Sequence, residues 1–178
     1  MSVGRFVGAD FAVPVRVETP RFTLRMLGIH DLVKDYDAVM SSREHLWARF
    51  AAPWGWPRAD LSLEQDLIDL GWHQKEFQRR SSFAYAAMSP DGARLLGCVY
   101  IEPPVDGEAT GGKAADAVEA EVWFWARSSE LASGLEDEIG RVVSGWLARD
   151  WPFRRVRWQG VVRDVVRDAR PASAETAL

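Results

Sequence analysis

Apolar residues along this chain follow two patterns, one typical of strands and one typical of helices. Alternating or continuous apolar runs predict five strands, at residues 19–27, 82–88, 95–101, 120–126 and 153–158. Apolar residues at helical spacing predict three helices, at residues 32–40, 62–80 and 131–149. Strands that follow one another beside a few helices indicate an α+β domain with a mixed sheet.

The stretch from residue 119 to residue 149 carries the most regular pattern. Its helical part presents one apolar face, formed by Leu131, Leu135, Ile139, Val142, Val143, Trp146 and Leu147. Ser133 and Glu136 match a capping box, which predicts that the Ser133 side chain caps the helix. Because the strand at residues 120–126 turns directly into this helix, free backbone N–H groups and the helix dipole predict an anion site.

The remaining segments carry weaker patterns. Residues 1–18 form an N-terminal extension in which residues 13–17 alternate, and Pro14 restricts such a strand to a sheet edge. Residues 43–61 indicate an irregular, aromatic segment. In the helix that follows, Ser62 and Gln65 match a second capping box. The apolar face predicted for that helix consists of Leu63, Leu67, Leu70 and Phe77.

Two segments carry little apolar pattern. Residues 103–118 are rich in Gly, Ala and Pro, which predicts an exposed, mobile loop. Four valines at residues 161–166 predict a short helix, and the rest of residues 161–178 is typical of a disordered tail.

Length, composition and net charge limit the classes of protein to which this chain can belong. The 178 residues fit one domain, and 47% hydrophobic with 27% charged residues is typical of a soluble globular protein. A net charge of −4 gives no sign of nucleic-acid binding. One cysteine, Cys98, and three histidines without ligand spacing lead us to expect no metal. No apolar run approaches a signal peptide or a membrane span, which predicts a cytoplasmic protein.

The strand–turn–helix unit resembles the central unit of the GNAT superfamily of N-acetyltransferases, most closely the branch of ribosomal-protein N-terminal acetyltransferases. In that branch the strand has the pattern Glu-hydrophobic-Gly-Tyr-Trp-hydrophobic, which residues 121–126 match. The phosphate loop of the branch is Arg-Gly-x-Gly, and residues 131–134 keep only its last glycine. The strand and helix at residues 19–40 are also similar to the opening of the branch.

This resemblance implies a GNAT-like domain at residues 19–160, with a mixed, mostly antiparallel sheet flanked by helices. Members of the superfamily continue with a fourth helix and a closing hairpin, and the residues after 158 are too few for both. Pairing with a second copy to form a homodimer is one way in which such a sheet would be completed.

The resemblance further implies acetyl-CoA as the co-substrate, held mainly by backbone groups. The residues expected to bind it are Trp125, Ala126, Arg127, Leu131, Ala132, Ser133, Gly134 and Leu135. The amide of Trp125 would face the thioester oxygen, and the amides of residues 131–135 would hold the phosphates. Alternatively, this is an ordinary capped helix whose Glu136 and Asp137 satisfy the helix dipole.

Acetyl transfer to an amine also needs a base. Glu121 begins the central strand, where several members of the superfamily place a base glutamate, and its Trp-rich surroundings would raise its pKa. Glu102 and Glu119 are alternatives, and a solvated glutamate at a strand end is the plain interpretation. The helix tyrosine that protonates the leaving thiolate in the family has no counterpart, because the last tyrosine here is Tyr100.

Three of the nine tryptophans lie in the segment that forms one wall of the acceptor pocket in this branch. Trp47, Trp54 and Trp56 would therefore bind the substrate, since aromatic walls recognise amines by shape and cation–π attraction. The other interpretation is that these rings fill the core beneath a loop.

Two functions from different classes remain open. The first is an acyl-CoA-dependent N-acyltransferase that moves acetyl from acetyl-CoA to a primary amine, either a protein N-terminus or a small amine. The second is a non-catalytic module of the same fold that binds acyl-CoA or a partner protein, which the altered loop and the missing tyrosine favour. Seven arginines at residues 149–170 suggest nucleic-acid binding as a third function, ranked below both.

Overall fold

A computed structural model describes residues 6–104 and 118–167. The strands are β1 (Arg16–Glu18), β2 (Thr23–Met26), β3 (Phe83–Met88), β4 (Leu95–Glu102), β5 (Ala120–Ala126), β6 (Arg155–Trp158) and β7 (Val161–Asp164). The α-helices are α1 (Leu32–Ser41), α2 (Arg43–Trp54), α3 (Leu63–Arg79) and α4 (Leu135–Asp150). Two 3-10 helices, Ile29–Asp31 and Ser128–Ser133, precede α1 and α4.

The seven strands form one sheet in chain order, from β1 to β7. Every neighbouring pair is antiparallel except β5 and β6, which run parallel over three residue pairs. A parallel pair needs a crossover connection, and α4 supplies it. The prediction of an α+β fold with a mixed, mostly antiparallel sheet in one domain is confirmed.

Helices cover both faces of the sheet. On one face, α4 packs its apolar side against the strands, with buried Ile139, Val143, Trp146 and Leu147. On the other face, which we call the three-helix face, α1, α2 and α3 pack through residues that include Ala38, Leu46, Phe50 and Leu70. Alternation along β5 sends Val122 and Phe124 toward α4, and Trp123 and Trp125 toward the three-helix face.

One segment predicted as irregular is a helix. α2 occupies most of residues 43–61 and buries Leu46 and Phe50. Pro53 lies in its last turn, and Gly55 ends it with a left-handed φ of 61°. The Pro and Gly residues therefore mark the end of a helix, whereas the prediction took them as signs of a loop.

The start of α4 differs from the predicted cap. Ser133 does not cap the helix, since its hydroxyl donates to the carbonyl oxygen of Glu130 at 2.7 Å. The residue before the helix is Gly134, whose φ of 70° lets the chain turn from the 3-10 helix into α4. Leu131 consequently lies outside α4 and is 36% exposed, although the rest of the predicted apolar face packs on the sheet.

The buried side of α3 is more polar than predicted. The second capping box holds in part, because Ser62 Oγ accepts the Gln65 N–H at 3.1 Å. Leu70 is buried as predicted, but Leu63 and Leu67 are 48% and 41% exposed. Asp66 is buried instead, at 2% exposure, so this side of the helix borders a polar cavity rather than an apolar core.

The helix predicted at residues 161–166 is wrong, because this stretch contains β7, paired antiparallel with β6. β-Branched valines suit a strand at least as well as a short helix. The predicted edge strand is present as β1, which begins at Arg16. Most of the loop predicted as mobile and most of the predicted tail lie outside the described residues.

Candidate functional site

A cavity of about 390 Å³, which we call the acidic cavity, opens on the three-helix face of the sheet. Its aromatic walls come from Trp54, Trp56, Trp72 and Tyr100. Its carboxylates are Asp35, Asp66, Asp69, Glu76 and Glu102. No lysine or arginine is among the described residues that line it. The volume falls within the range of about 300–1,000 Å³ that is typical of small-molecule sites.

Glu102 is the group in this cavity best suited to accept a proton. It ends β4, directly opposite Glu121 on β5. Burial, followed by the charges of Glu76 and Glu121, raises the pKa of Glu102 to about 7. A carboxylate with such a pKa is matched to proton transfer at neutral pH.

Glu121, the base predicted from the sequence, has a different environment. The residue is 7% exposed, and its Oε1 lies 3.3 Å from Nε of Arg157 on β6. It is not among the residues that line the acidic cavity. This position beside Glu102 explains why its charge raises the pKa of Glu102, and its own role as a base stays a prediction.

Asp35 and Asp66 form a buried acidic pair in the cavity wall, at 5% and 2% exposure. Burial, with Asp66 as a second cause, raises the pKa of Asp35, and burial with Asp69 raises the pKa of Asp66 to about 6. The Cys98 thiol donates to Asp35 Oδ1 at 3.7 Å. Asp66 Oδ2 has no hydrogen-bond partner within the described part of the chain.

The other polar groups near this pair do not neutralise it. Burial lowers the pKa of His73, which favours the uncharged imidazole. Burial, with Asp35 as a second cause, raises the pKa of the Cys98 thiol, so this buried side chain keeps its proton. Burial also raises the pKa of Tyr100, whose hydroxyl accepts the indole N–H of Trp125 at 3.3 Å.

The sequence carried a signal for this acidic wall that the apolar pattern obscured. Asp66, Leu70, His73 and Phe77 recur at i, i+4, i+7 and i+11, so they share one face of α3. Two polar residues on the side of a helix that faces a sheet indicate a cavity, because buried polar groups need a partner.

The structure separates the three tryptophans predicted to bind substrate. Trp54 and Trp56 line the acidic cavity. The Trp54 ring stacks on Phe50, with centroids 4.7 Å apart, and meets Tyr100 edge-on at 5.7 Å. Trp47 is 42% exposed and is not among the lining residues, so the structure does not bring it to this site.

A second cavity of about 420 Å³, the β5–α4 cleft, lies on the other side of the sheet. Strands β5 and β6 pair only as far as Val122, and beyond it Phe124 and Trp158 line the cleft. Gly140 leaves room for the Phe124 ring, because a Cβ there would lie 3.0 Å from Cζ. The charged lining residues are Arg49, Glu136, Asp137, Arg141 and Arg163.

A layer of aromatic side chains separates the acidic cavity from the β5–α4 cleft. Trp54, which lines the cavity, meets Trp123 at 5.3 Å and stacks on Phe50. Arg49, which lines the cleft, lies 5.6 Å from the Phe50 ring and 5.7 Å from the Phe124 ring. The two cavities therefore approach each other at residues that α2 and β5 contribute.

The predicted phosphate loop is a 3-10 helix, which corrects the expectation for its amides. Residues 131–133 lie inside this helix, where amides bond to the carbonyl three residues earlier. The Gly134 amide donates to the Leu131 carbonyl at 3.0 Å. Of the predicted amides, only that of Leu135 lies in the first turn of α4, where N–H groups have no partner inside the helix.

The carboxylate of Glu136, in the first turn of α4, binds a backbone amide and an arginine. Its Oε2 accepts the amide of Ala126 at 3.0 Å, and its Oε1 pairs with Arg49 at 2.6 Å. His45 Nε2 lies 3.5 Å from the same carboxylate. The protein therefore supplies its own carboxylate to the amide at the end of β5 and to the nearest arginine.

Other arginines around the start of α4 also have acidic partners. Arg21 binds the carbonyl and the hydroxyl of Ser133, at 3.2 and 2.7 Å, and pairs with Glu138 at 2.8 Å. Arg127, one of the predicted CoA-binding residues, is 9% exposed and pairs with Asp37. Arg21 and Arg49 supply positive charge near residues 131–134, which lack the arginine of the family motif. No local sequence motif predicts that these two distant arginines lie there.

The role expected for the backbone amide of Trp125 is also corrected. The amide of Arg127 donates to the carbonyl of Leu96 on β4 at 2.7 Å. Hydrogen-bonded pairs alternate along antiparallel strands, so Trp125, opposite Cys98, also directs its amide toward β4. That amide therefore belongs to the sheet and does not face the β6 side, where the Ala126 amide bonds to Glu136.

The described residues contain no group of three or more His, Cys, Asp or Glu side chains arranged to hold a metal ion. None of the helices in residues 6–104 and 118–167 has the length and apolar character needed to cross a lipid bilayer.

Solved structures with this fold are acetyltransferases. The ribosomal-protein-S5-alanine acetyltransferase from Vibrio fischeri superposes with a TM-score of 0.61 at 16% identity, over 82% of this chain and 73% of that protein. An acetyltransferase from Salmonella typhimurium that modifies the N-terminal serine of the 50S ribosomal protein L7/L12 gives a TM-score of 0.58 at 15% identity, with 79% and 71% covered.

A third structure, RimL, a ribosomal L7/L12 α-N-protein acetyltransferase in complex with coenzyme A, gives a TM-score of 0.58 at 15% identity, with 82% and 72% covered. The chain matches no protein-family model, and no curated protein matches it significantly. The chain therefore has the GNAT acetyltransferase fold, and the resemblance is confirmed at the level of the fold.

Proposed function

We propose that this protein transfers an acetyl group from acetyl-CoA to a primary amine. The observation that carries the proposal is Glu102, a carboxyl group with a pKa of about 7 in the wall of an aromatic cavity. An amine must lose a proton before it can attack a thioester, and such a group is a suitable base. The GNAT fold of acetyltransferases, one of them solved with coenzyme A, supports the same reaction class.

Glu102 would act on the amine as it arrives in the form of an ammonium ion. Its carboxylate accepts one proton from the nitrogen, which frees the lone pair to attack the thioester carbonyl carbon. The C–S bond then breaks, coenzyme A leaves as the thiolate, and that thiolate takes the second proton released by the nitrogen. At pH 7 about half of the Glu102 side chains are ionised and ready to accept a proton, because the pKa is near the pH.

Acetyl-CoA supplies the activated acyl group, and we assign its binding to the β5–α4 cleft. Arg141 and Arg163 offer charge to its phosphates, and Phe124 and Trp158 offer apolar surface. The amides in the first turn of α4, beginning at Leu135, add hydrogen-bond donors with the dipole behind them. Ala126 and Arg49 join this set only when Glu136 releases them.

The test is acetyl transfer measured by mass spectrometry, with acetyl-CoA and a panel of primary amines. Glu102→Gln keeps the size of the side chain but cannot accept the proton, so we expect a loss of about 10²–10⁴ in kcat. Glu121→Gln is the matched variant on the neighbouring strand. If Glu121→Gln abolishes turnover and Glu102→Gln does not, the base is Glu121, as the sequence predicted.

The non-catalytic binding module remains the second candidate, and the carboxylate of Glu136 in the anion site favours it. A protein that no longer binds acetyl-CoA does not need the Ala126 amide and Arg49 to be free of a carboxylate. Folded wild-type protein that binds acetyl-CoA but acetylates no amine would support a module that binds acyl-CoA, and folded protein that neither binds acetyl-CoA nor acetylates an amine would support one that binds a partner protein.

A further inference from the structure

The acidic cavity contains more carboxylates than the binding and deprotonation of a single amine require. Glu102 is sufficient as the base, yet four further carboxylates line the same space: Asp35, Asp66, Asp69 and Glu76. The lining residues supply no positive charge in return, since His73 is uncharged at neutral pH and no lysine or arginine is among them. Asp35 and Asp66 are the buried members of this set, and buried carboxylates without cationic partners are costly to the fold, so these two need an explanation.

Asp66 gives the most direct reason to expect that this cavity binds a ligand. The residue is 98% buried, because its exposure is 2%, and it lines the cavity. Its Oδ2 has no hydrogen-bond partner in the described residues. Buried polar atoms nearly always have a partner, and an orphan in a cavity wall indicates a group that binds there.

The walls beside Asp66 also suit a cation. Trp54 and Trp56 present aromatic rings to the cavity, and aromatic faces attract ammonium groups. The ring of Trp72 already has a cation, because Lys75 Nζ lies 4.3 Å from its centroid. The side chains of Asp35 on α1 and Asp66 on α3 share a hydrogen bond, which leaves Asp66 Oδ2 as the oxygen that an ammonium group would bind. Glu102 lies on β4 and supplies the proton acceptor for a separate amine.

We propose that the acceptor is a small di- or polyamine, with one amine at Glu102 and a second ammonium group at Asp35 and Asp66. This inference rests on the proposed function for the reacting amine, but the binding of a dication can be tested without acetyl transfer. The cavity volume suits a small molecule of this class. A peptide N-terminus with one charge would leave Asp66 Oδ2 without a partner.

The experiment is isothermal calorimetry of the full chain with 1,4-diaminobutane and with 1-aminobutane, in the absence of acetyl-CoA. The two probes share a length and differ in one charge. We expect the diamine to bind at least about tenfold more tightly, and this preference to weaken as salt is added. Proton release should accompany diamine binding, since Asp35, Asp66, Asp69, Glu76 and Glu102 face the cavity and a cation favours their ionised forms.

Two matched variants identify the carboxylate. Asp66→Asn should reduce the preference for the diamine to within about threefold, because one of the two charges at the second ammonium is gone. Glu64→Gln, an exposed carboxylate on the same helix, should keep the full preference. Equal binding of the two probes, or a full preference in Asp66→Asn, would overturn the proposal.

Acetyl transfer distinguishes the two claims. If the diamine binds selectively but no acetylated product forms, the diamine site stands and the proposed reaction fails. If acetyl transfer to 1-aminobutane or to an alanine-initiated peptide is as efficient as transfer to 1,4-diaminobutane, the reaction stands and the diamine proposal is refuted.

Discussion

The two cavities of this molecule differ in whether their carboxylates are paired with cations. In the β5–α4 cleft, Arg49 is held by Glu136 at 2.6 Å, and the carboxylate of Glu136 also takes the Ala126 amide. In the acidic cavity, carboxylates face one another without a cation, and the pKa of Asp66 and that of Glu102 rise to about 6 and about 7. The carboxylate of Glu136 in the cleft has a cationic partner, whereas the carboxylates that line the acidic cavity have no lysine or arginine among the described lining residues, and a cationic ligand would supply the missing positive charge.

This contrast indicates what each site needs in order to bind. An anion that binds Arg49 and the Ala126 amide must displace Glu136, so part of its binding energy is spent on breaking contacts within the protein. A cation entering the acidic cavity displaces only protons. We therefore expect mutations of carboxylates to have opposite effects at the two sites, improving binding in the cleft and weakening it in the cavity.

The largest expected effect concerns stability at Asp66. The folded protein holds the Asp66 proton more tightly than the unfolded chain, where an aspartate has a pKa of about 3.9. Protonation thus stabilises the fold below about pH 4, and this stabilisation is lost as the pH rises through 6. Relative to wild type, the free energy of unfolding of Asp66→Asn should rise between pH 3.5 and pH 7.5 by on the order of 2 kcal/mol, since solvent screening reduces the effect of the shift.

Urea unfolding at the two pH values measures this gain. Glu64→Gln on the same helix is exposed and serves as the control, with an expected change within about 0.5 kcal/mol. If the difference in free energy of unfolding between Asp66→Asn and wild type is the same at both pH values, Asp66 does not have a raised pKa in the folded protein. That result would contradict the electrostatic account of the acidic cavity.

A smaller effect is expected at Glu136. Glu136→Gln removes the negative charge from the anion site and weakens the hold on Arg49. Hydrogen bonds to charged groups contribute about 1.5–3 kcal/mol, so acetyl-CoA affinity should rise by about tenfold or more. Asp150→Asn, at the other end of α4, should leave the affinity unchanged. Weaker binding in Glu136→Gln would mean that this carboxylate supports the site.

The smallest effect separates two tryptophans that the sequence grouped together. Trp54→Ala removes a ring from the cavity wall and should raise KM for the amine by about threefold to thirtyfold, the range of a cation–π contact. Trp47→Ala should leave KM within about twofold, because Trp47 lies outside the cavity. Equal increases in KM for the two variants, measured by steady-state kinetics, would indicate that Trp47 also belongs to the substrate site.

The sequence was sufficient for most of the sheet and for helix α4, and insufficient for helix α2 and the edge strand β7. The strands β2 to β6 and helix α4 follow from apolar periodicity, since burial of one face dictates the pattern. Helix α2 was missed because Pro53 and Gly55 lie close to its end, where they are compatible with a helix. Strand β7 was missed because four valines fit either period over so short a stretch.

The site was harder to predict for a physical reason. Glu102 was named only as an alternative, since its pKa depends on Glu76 and Glu121, which other elements bring near. Asp35 and Asp66 lie on separate helices, and no spacing along the chain relates them. The role predicted for residues 131–135 depends on Glu136, whose carboxylate is held by Arg49 from α2, 87 residues earlier, and no local pattern shows this contact.

The pH dependence of kcat/KM for amine acetylation tests the central claim most directly, because it reports the ionisation of the base in the free enzyme. We predict a rising limb with an apparent pKa near 7 in the wild type. In Glu121→Gln the limb should move to lower pH, since a neighbouring negative charge is gone, and turnover should persist on the plateau. A wild-type limb at the ordinary glutamate pKa of about 4.3, or a limb unmoved in Glu121→Gln, would contradict the account.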